Sequence, residues 1–131
     1  MIPLTRIATR NSVKVSEFLS DEKLGEVAKA TMVGGATLTG MLGTSAWYAP
    51  GAAVCSMVHA IATDSKKMFA CSALVDGEYG LSDLSIGVPC IIGKDGIEKI
   101  VEIELSDAEK TKLAESATAV SKTNALLAIE A

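Results

Sequence analysis

From Ala30 to Thr63 the chain runs for 34 residues without an Asp, Glu, Lys or Arg. So long an uncharged stretch has to be hidden from water, in a bilayer or against protein. It makes up about a quarter of a 131-residue chain, and the remainder is small for covering it. Where this surface goes decides most of what the chain can be.

The residue types favour protein over bilayer. A spanning helix needs about 20 mostly apolar residues and inserts through Leu, Ile, Phe and Val. Here only Val33, Leu38, Leu42, Val54, Val58 and Ile61 are of that kind, while 20 of the 34 are Ala, Gly, Ser or Thr. Pro50-Gly51 interrupts the run. Small residues such as Gly35, Thr39, Gly40 and Thr44 let helix backbones approach closely. The start, Met1 to Arg6, lacks the basic segment and apolar core of a secretion signal.

A chain of this length is read as one domain, residues 1–131. Net charge is −4, against the basic patch or stripe that nucleic-acid binding requires. Apolar residues make up 49 %, which points to a surface that meets a partner. Cys55, Cys71 and Cys90 are odd in number and lack CxxC spacing. They read as three buried, reduced thiols of a cytoplasmic protein, not a disulfide framework or a zinc site.

Periodicity divides the chain into three zones. Leu4–Thr9 and Val13–Val15 are short β-like pieces punctuated by Pro3 and Asn11-Ser12. A helix over Asp21–Leu42 follows, with Ser20 as its cap and a weak or bent point at Gly34-Gly35. A second helix covers Pro50–Thr63, Pro50 standing at its first position. A strand meander comes next: Met68–Val75, a turn at Asp76-Gly77, Leu84–Ile92, a turn at Gly93–Gly96, then Ile97–Ile103. A capping box at Ser106 and Glu109 opens a last helix carrying Leu113, Ala117, Val120, Asn124 and Leu127. The fold class is α+β, an antiparallel meander packed with long helices.

Residue chemistry offers little catalysis. His59, the one histidine, lies mid-helix and reads as a surface or packing residue. There is no phosphate loop, metal-ligand cluster or nucleophile with its base. Asp76, Glu78 and Asp83 read as a solvated turn.

Certain strings are more specific. Gly34-Gly-Ala36, Gly43-Thr-Ser-Ala-Trp-Tyr-Ala-Pro50, Cys71-Ser-Ala-Leu-Val-Asp-Gly-Glu-Tyr-Gly80, Asp83-Leu-Ser-Ile-Gly-Val-Pro89 and Gly96-Ile-Glu-Lys-Ile100 stand in order along the chain. Together they resemble the C-terminal domain of the lactate/malate dehydrogenase family, nearest its lactate-dehydrogenase-like, NAD-dependent malate dehydrogenases. The resemblance implies a two-domain subunit whose N-terminal Rossmann domain binds NAD and is absent from this chain. It implies oxidation of malate to oxaloacetate, with homo-oligomeric subunits. In the family the catalytic histidine, its aspartate and the substrate arginine lie upstream of the counterpart of Met1. No catalytic role therefore carries over, and the chain alone is expected to be inactive.

What carries over is a wall of the site. Ser45 matches the hydroxyl position beside substrate and nicotinamide, and Ala49 and Pro50 match positions near the nicotinamide. Read from its residues alone, Ser45 is a turn or cap hydroxyl. Gly43-Thr44 departs from the commoner Thr-Gly order, and Trp47 stands for a usual Tyr. The alternatives are a standalone oligomerisation or binding domain derived from the family, a lactate dehydrogenase C-terminal domain, and an unrelated binding or membrane-associated module.

Overall fold

The computed structural model describes residues 1–127, so the last four of the expected 1–131 domain lie outside the described residues. Two compact units divide the chain, Met1–Pro50 and Gly51–Ala131.

The first unit opens with a single turn of tight helix at Thr5–Ile7, then pairs β1 (Thr9–Arg10) with β2 (Val13–Lys14). Half of the expected strand Leu4–Thr9 is thus helical. An extended segment needs a partner for its backbone groups, and the hairpin supplies one only from Ala8, whose carbonyl accepts the Val15 N–H at 3.0 Å. Instead the Ile7 N–H donates to the Leu4 carbonyl at 3.2 Å and the Ala8 N–H to Thr5 at 3.3 Å. Asn11 and Ser12, both with left-handed φ (48° and 68°), make the two-residue turn. The second β-like piece also shortens, because Val15–Glu17 turns helical.

Helix α1 runs unbroken over Asp21–Leu42, from Ser20, whose hydroxyl accepts from the Lys23 N–H, to Gly43 in the left-handed conformation. The Gly34-Gly35 pair, expected to weaken or bend the helix, does not interrupt it: the helix continues through both. Leu24 is its buried residue, while Val33, Leu38, Met41 and Leu42 stay exposed. Helix α2 (Tyr48–Ala62) begins two residues before its expected start. Pro50 still falls in the first turn, where a backbone N–H has no helical partner to lose.

The second unit is built on an antiparallel sheet of order β3-β4-β5, comprising Lys67–Asp76, Ser82–Gly93 and Gly96–Ile100. Alternation sets its faces. Leu84, Ile86, Val88, Cys90 and Ile92 of β4 are buried, as are Ala73 and Val75 of β3. Helix α3 (Asp107–Ala125) starts at the expected capping box. Its Ala117 and the Ala60 of α2 join this core, with Leu113 and Val120 packed against it.

β5 stops at Ile100, three residues short of expectation. The Tyr79 hydroxyl causes this by donating to the Val101 carbonyl and accepting the Ile103 N–H, both at 2.9 Å. The Val101 N–H still donates to the Pro89 carbonyl of β4 at 2.8 Å, and the Tyr79 hydroxyl takes up the backbone groups on the other side. The cysteines also differ from expectation: Cys90 is buried, Cys71 partly so, and Cys55 is exposed. Cys55 faces outward because α2 turns Ala60, not Cys55, into the core.

At the mouth of β3 a charged cluster closes over Gly93. The Lys66 ammonium donates to both oxygens of Glu98, at 2.8 and 2.6 Å, and lies 3.2 Å from Asp64. The Lys94 N–H donates to Asp64 Oδ1 at 3.0 Å. That bond and the neighbouring ammonium hold the Asp64 carboxyl below its usual range, and Glu98 and Asp64 push the Lys66 ammonium up.

A lowered carboxyl stabilises the fold above its unfolded value of 3.8, and that contribution fades as pH falls through the folded value. A raised ammonium does so below 10.5, fading as pH rises through its folded value. Urea midpoints are therefore expected to fall at both extremes, with Lys66→Met lessening the alkaline fall. A Cβ on Gly93 would meet the carboxylates of Glu98 and Asp64. Gly93→Ala makes these exposed side-chain ends move aside and is expected to cost at most about 1 kcal/mol by urea unfolding, the worth of the surface ion pairs it disturbs. Gly87→Ala, with open space at its Cβ, should stay within about 0.5 kcal/mol.

Candidate functional site

The link between α1 and α2 is the candidate site. Gly43 (φ 69°) ends α1, its N–H donating to the Thr39 carbonyl at 3.0 Å. A left-handed residue there turns the chain sharply and leaves Thr44–Trp47 outside any helix. Ser45 sits in this link, exposed, and among the described residues its hydroxyl has no hydrogen-bond partner. Ala49 and Pro50 lie in the first turn of α2, also exposed. All three expected site residues therefore fall within six consecutive positions.

Beside them Trp47 and Tyr48 meet edge to face, ring centroids 6.5 Å apart at 66°. Their exposures, 66 % and 87 %, are too high for core aromatics. The free N–H groups of the first turn of α2 give this end a partial positive charge. The segment thus offers a free hydroxyl, two small side chains and flat apolar rings. It offers no group able to take a proton from carbon or oxygen at neutral pH.

Residue chemistry elsewhere is structural. His59 is exposed on α2 and lines a shallow hollow of about 250 Å³ with Cys55, Ser56, Ser65 and Lys67. A larger cleft of about 530 Å³ runs beside α3, between Tyr79, Leu81, Ile103, Leu105 and Leu113. Neither includes Ser45, Ala49 or Pro50. The larger cleft escaped the sequence reading because Tyr79 reaches Val101 and Ile103 across more than twenty residues. Only the tyrosine in Gly77-Glu-Tyr-Gly80 hinted at it. In the same loop the Asp76 N–H donates to Glu78 at 2.8 Å and lowers that carboxyl's pKa. The Tyr79 N–H donates to Glu102 at 2.7 Å. Among the described residues no group of His, Cys, Asp and Glu could hold a metal ion. No helix among them is long and apolar enough to cross a membrane.

Residues 3–126 match the lactate/malate dehydrogenase, alpha/beta C-terminal domain, and the chain belongs to that family. Its relatives include the malate dehydrogenase of Flavobacterium frigidimaris, 63 % identical over 120 residues, 92 % of this chain and 39 % of that protein. The malate dehydrogenase of Bacteroides thetaiotaomicron is 63 % identical over 127 residues, 97 % of this chain and 41 % of that one. Within the family the chain is thus a homologue of the malate dehydrogenase C-terminal domain.

Solved structures agree. The malate dehydrogenase from Salinibacter ruber superposes with a TM-score of 0.89 at 41 % identity, over 92 % of this chain and 40 % of that one. The lactate dehydrogenase from Eimeria maxima, solved with NADH and oxamate, gives 0.91 at 33 % identity, over 96 % and 40 %. The chain spans about two fifths of the length of the relatives it matches.

The α1–α2 link depends on Gly43. Gly43→Ala puts a Cβ into left-handed backbone and is expected to cost about 1–2 kcal/mol in thermal or urea unfolding. Trp47 is the single tryptophan, so a shifted emission maximum in the folded variant would report displacement of the link.

Proposed function

We propose that this chain is the substrate-side domain of an NAD-dependent malate dehydrogenase, which oxidises malate to oxaloacetate while reducing NAD to NADH. The carrying observation is the 63 % identity to malate dehydrogenases across 97 % of the chain. The reading as a lactate dehydrogenase domain has one observation behind it, the overlap with the Eimeria maxima enzyme. At 33 % identity it is the weaker of the two.

The α1–α2 link fits such a cofactor. Its hydroxyl is unclaimed, and Ser45, Ala49 and Pro50 are small and exposed enough to border a flat ring. NAD, when bound, supplies the acceptor for the hydride that leaves C2 of malate. Ser45 donates a hydrogen bond to the oxyacid and leaves room beside it. Ala49 and Pro50 form an apolar border that keeps water from that side. The partial positive end of α2 favours a carboxylate nearby. The base that takes the hydroxyl proton belongs to the family's upstream histidine segment, and His59 does not replace it. The wider reading has an N-terminal NAD domain, identical subunits as partners and a cytoplasmic setting.

Two measurements test this. The purified 131-residue chain, incubated with oxaloacetate and NADH, is expected to show no loss of absorbance at the NADH band above a protein-free control. Turnover free of full-length enzyme would overturn the division of labour. In the complete protein, Ser45→Ala is expected to lower kcat/KM for malate by about two- to tenfold, the worth of one hydrogen bond. An unchanged kcat/KM would remove Ser45 from the site. Reading the coding sequence upstream of Met1 separates a standalone domain from this reading: a His-Gly-Asp segment and a GxGxxG strand–turn–helix there support the dehydrogenase.

A further inference from the structure

Among the described residues β3 pairs with β4 alone. The other outer strand, β5, is half as long and carries Glu98 and Lys99. β3 has no charge between Lys67 and Asp76. Its outward row, Met68, Ala70, Ser72 and Leu74, is exposed throughout.

The pleat decides which backbone groups reach the open side. The Val101 N–H, just after β5, donates to the Pro89 carbonyl at 2.8 Å. Pro89 therefore turns its backbone toward β5, and Val88 and Cys90 turn theirs toward β3. Opposite them in the register stand Cys71 and Phe69, which bond to β4. Met68, Ala70, Ser72 and Leu74 are out of phase with these and point their N–H and C=O groups at the empty side. The Asp76 N–H is already taken by Glu78, which ends the free row.

We infer that this edge joins the same edge of a second copy of the chain, antiparallel about a twofold axis through Cys71. Such an axis, normal to the sheet, sets outward residues against outward residues. With Cys71 at the centre, Met68 faces the partner's Leu74 and Ala70 faces the partner's Ser72. Asp76 comes beside the partner's Lys66 and Lys67. The two large apolar side chains of the outer row, 57 % and 69 % exposed, cover each other twice, and unlike charges meet at both ends. Centring on Ser72 would set Met68 against Asp76, and centring on Ala70 would set Leu74 against Lys66. Parallel stacking in register would set Lys67 on Lys67 and Asp76 on Asp76. The residue types thus select one register. The outward residues of both copies supply about eight backbone hydrogen bonds. A contact one strand long is small, so the dimer dissociates on dilution. Because Cys71 bonds to β4, it meets its copy at a non-hydrogen-bonded pair. Cα atoms there lie about 4.5 Å apart, within the span of a disulfide.

The test uses the full chain carrying Cys55→Ser, so that the exposed thiol does not compete. In sedimentation equilibrium its mass is expected to rise with concentration from one chain toward two. Copper phenanthroline, which oxidises thiols in contact, is expected to give a covalent dimer whose cross-linked peptide joins Cys71 to Cys71. Dithiothreitol should return the single chain. Leu74 is outward and exposed, so Leu74→Lys leaves the core intact, which an unchanged far-ultraviolet circular dichroism spectrum checks. It sets a cation against Met68 beside Lys66 and Lys67. The dissociation constant is expected to rise at least about tenfold, and the cross-link to be lost. A single chain at every concentration up to about 1 mM overturns the proposal. So does a dimer that Leu74→Lys leaves unchanged, or one that copper phenanthroline does not join through Cys71. Either is the outcome expected if the exposed apolar side chains of α1 and α2 pair the copies instead. The Cys71 cross-link is read on the unaltered strand and decides the register without the variant.

Discussion

The pairing of β3 with β4 is the constraint on which the second unit rests. Every second residue of β4 from Leu84 to Ile92 is buried. A slip of one residue would turn all of them to water and bring Ser85, Gly87 and Pro89 inward. One irregularity marks the end of this pairing, between Val75 and Asp76; another, between Ile91 and Ile92, lies in the pairing of β4 with β5. The small side chains of Ala117 and Ala60 let α3 and α2 come close to this face. Larger residues there would lift the helices off the sheet.

The uncharged run is explained differently from the core. Of its 34 residues only Ala60 is buried within the chain. Val54, Val58 and Ile61 of α2 remain exposed, as do Val33 and Leu38 of α1. Exposed apolar side chains in such density are the mark of a surface that meets other protein.

Legibility in the sequence followed the range of the interactions. The Ser20 cap and the Ser106–Glu109 box act over three residues, and both helix starts were readable from them. Strands β3 and β4 were readable as segments bounded by the turn signals at Asp76-Gly77 and Gly93–Gly96. The end of β5 was not, because Tyr79 sets it from 24 residues away through its bond to Ile103. The Thr5–Ile7 turn was hidden too, since β-like residue types there have no strand to pair with. Cys55 was misplaced because an uncharged helix such as α2 does not announce which side it buries. At the candidate site, residue types alone made Ser45 a turn hydroxyl. Only the ordered strings raised the expectation that it borders a ligand, together with Ala49 and Pro50.

Among the described residues the sheet order leaves β3 at an edge, with one row of backbone N–H and C=O groups unpaired by a neighbouring strand. From Met68 to Val75 this strand carries no charge, and Met68 and Leu74 point outward at 57 % and 69 % exposure. An open edge beside an apolar face is a template on which a second such strand can add. Lys66 and Lys67 stand at its entrance and Asp76 at its exit, the positions from which charges discourage stacking. Lys66 is already held by Glu98 and Asp64. Much of the burden of keeping copies of the chain from fibrous growth therefore falls on Lys67 and Asp76.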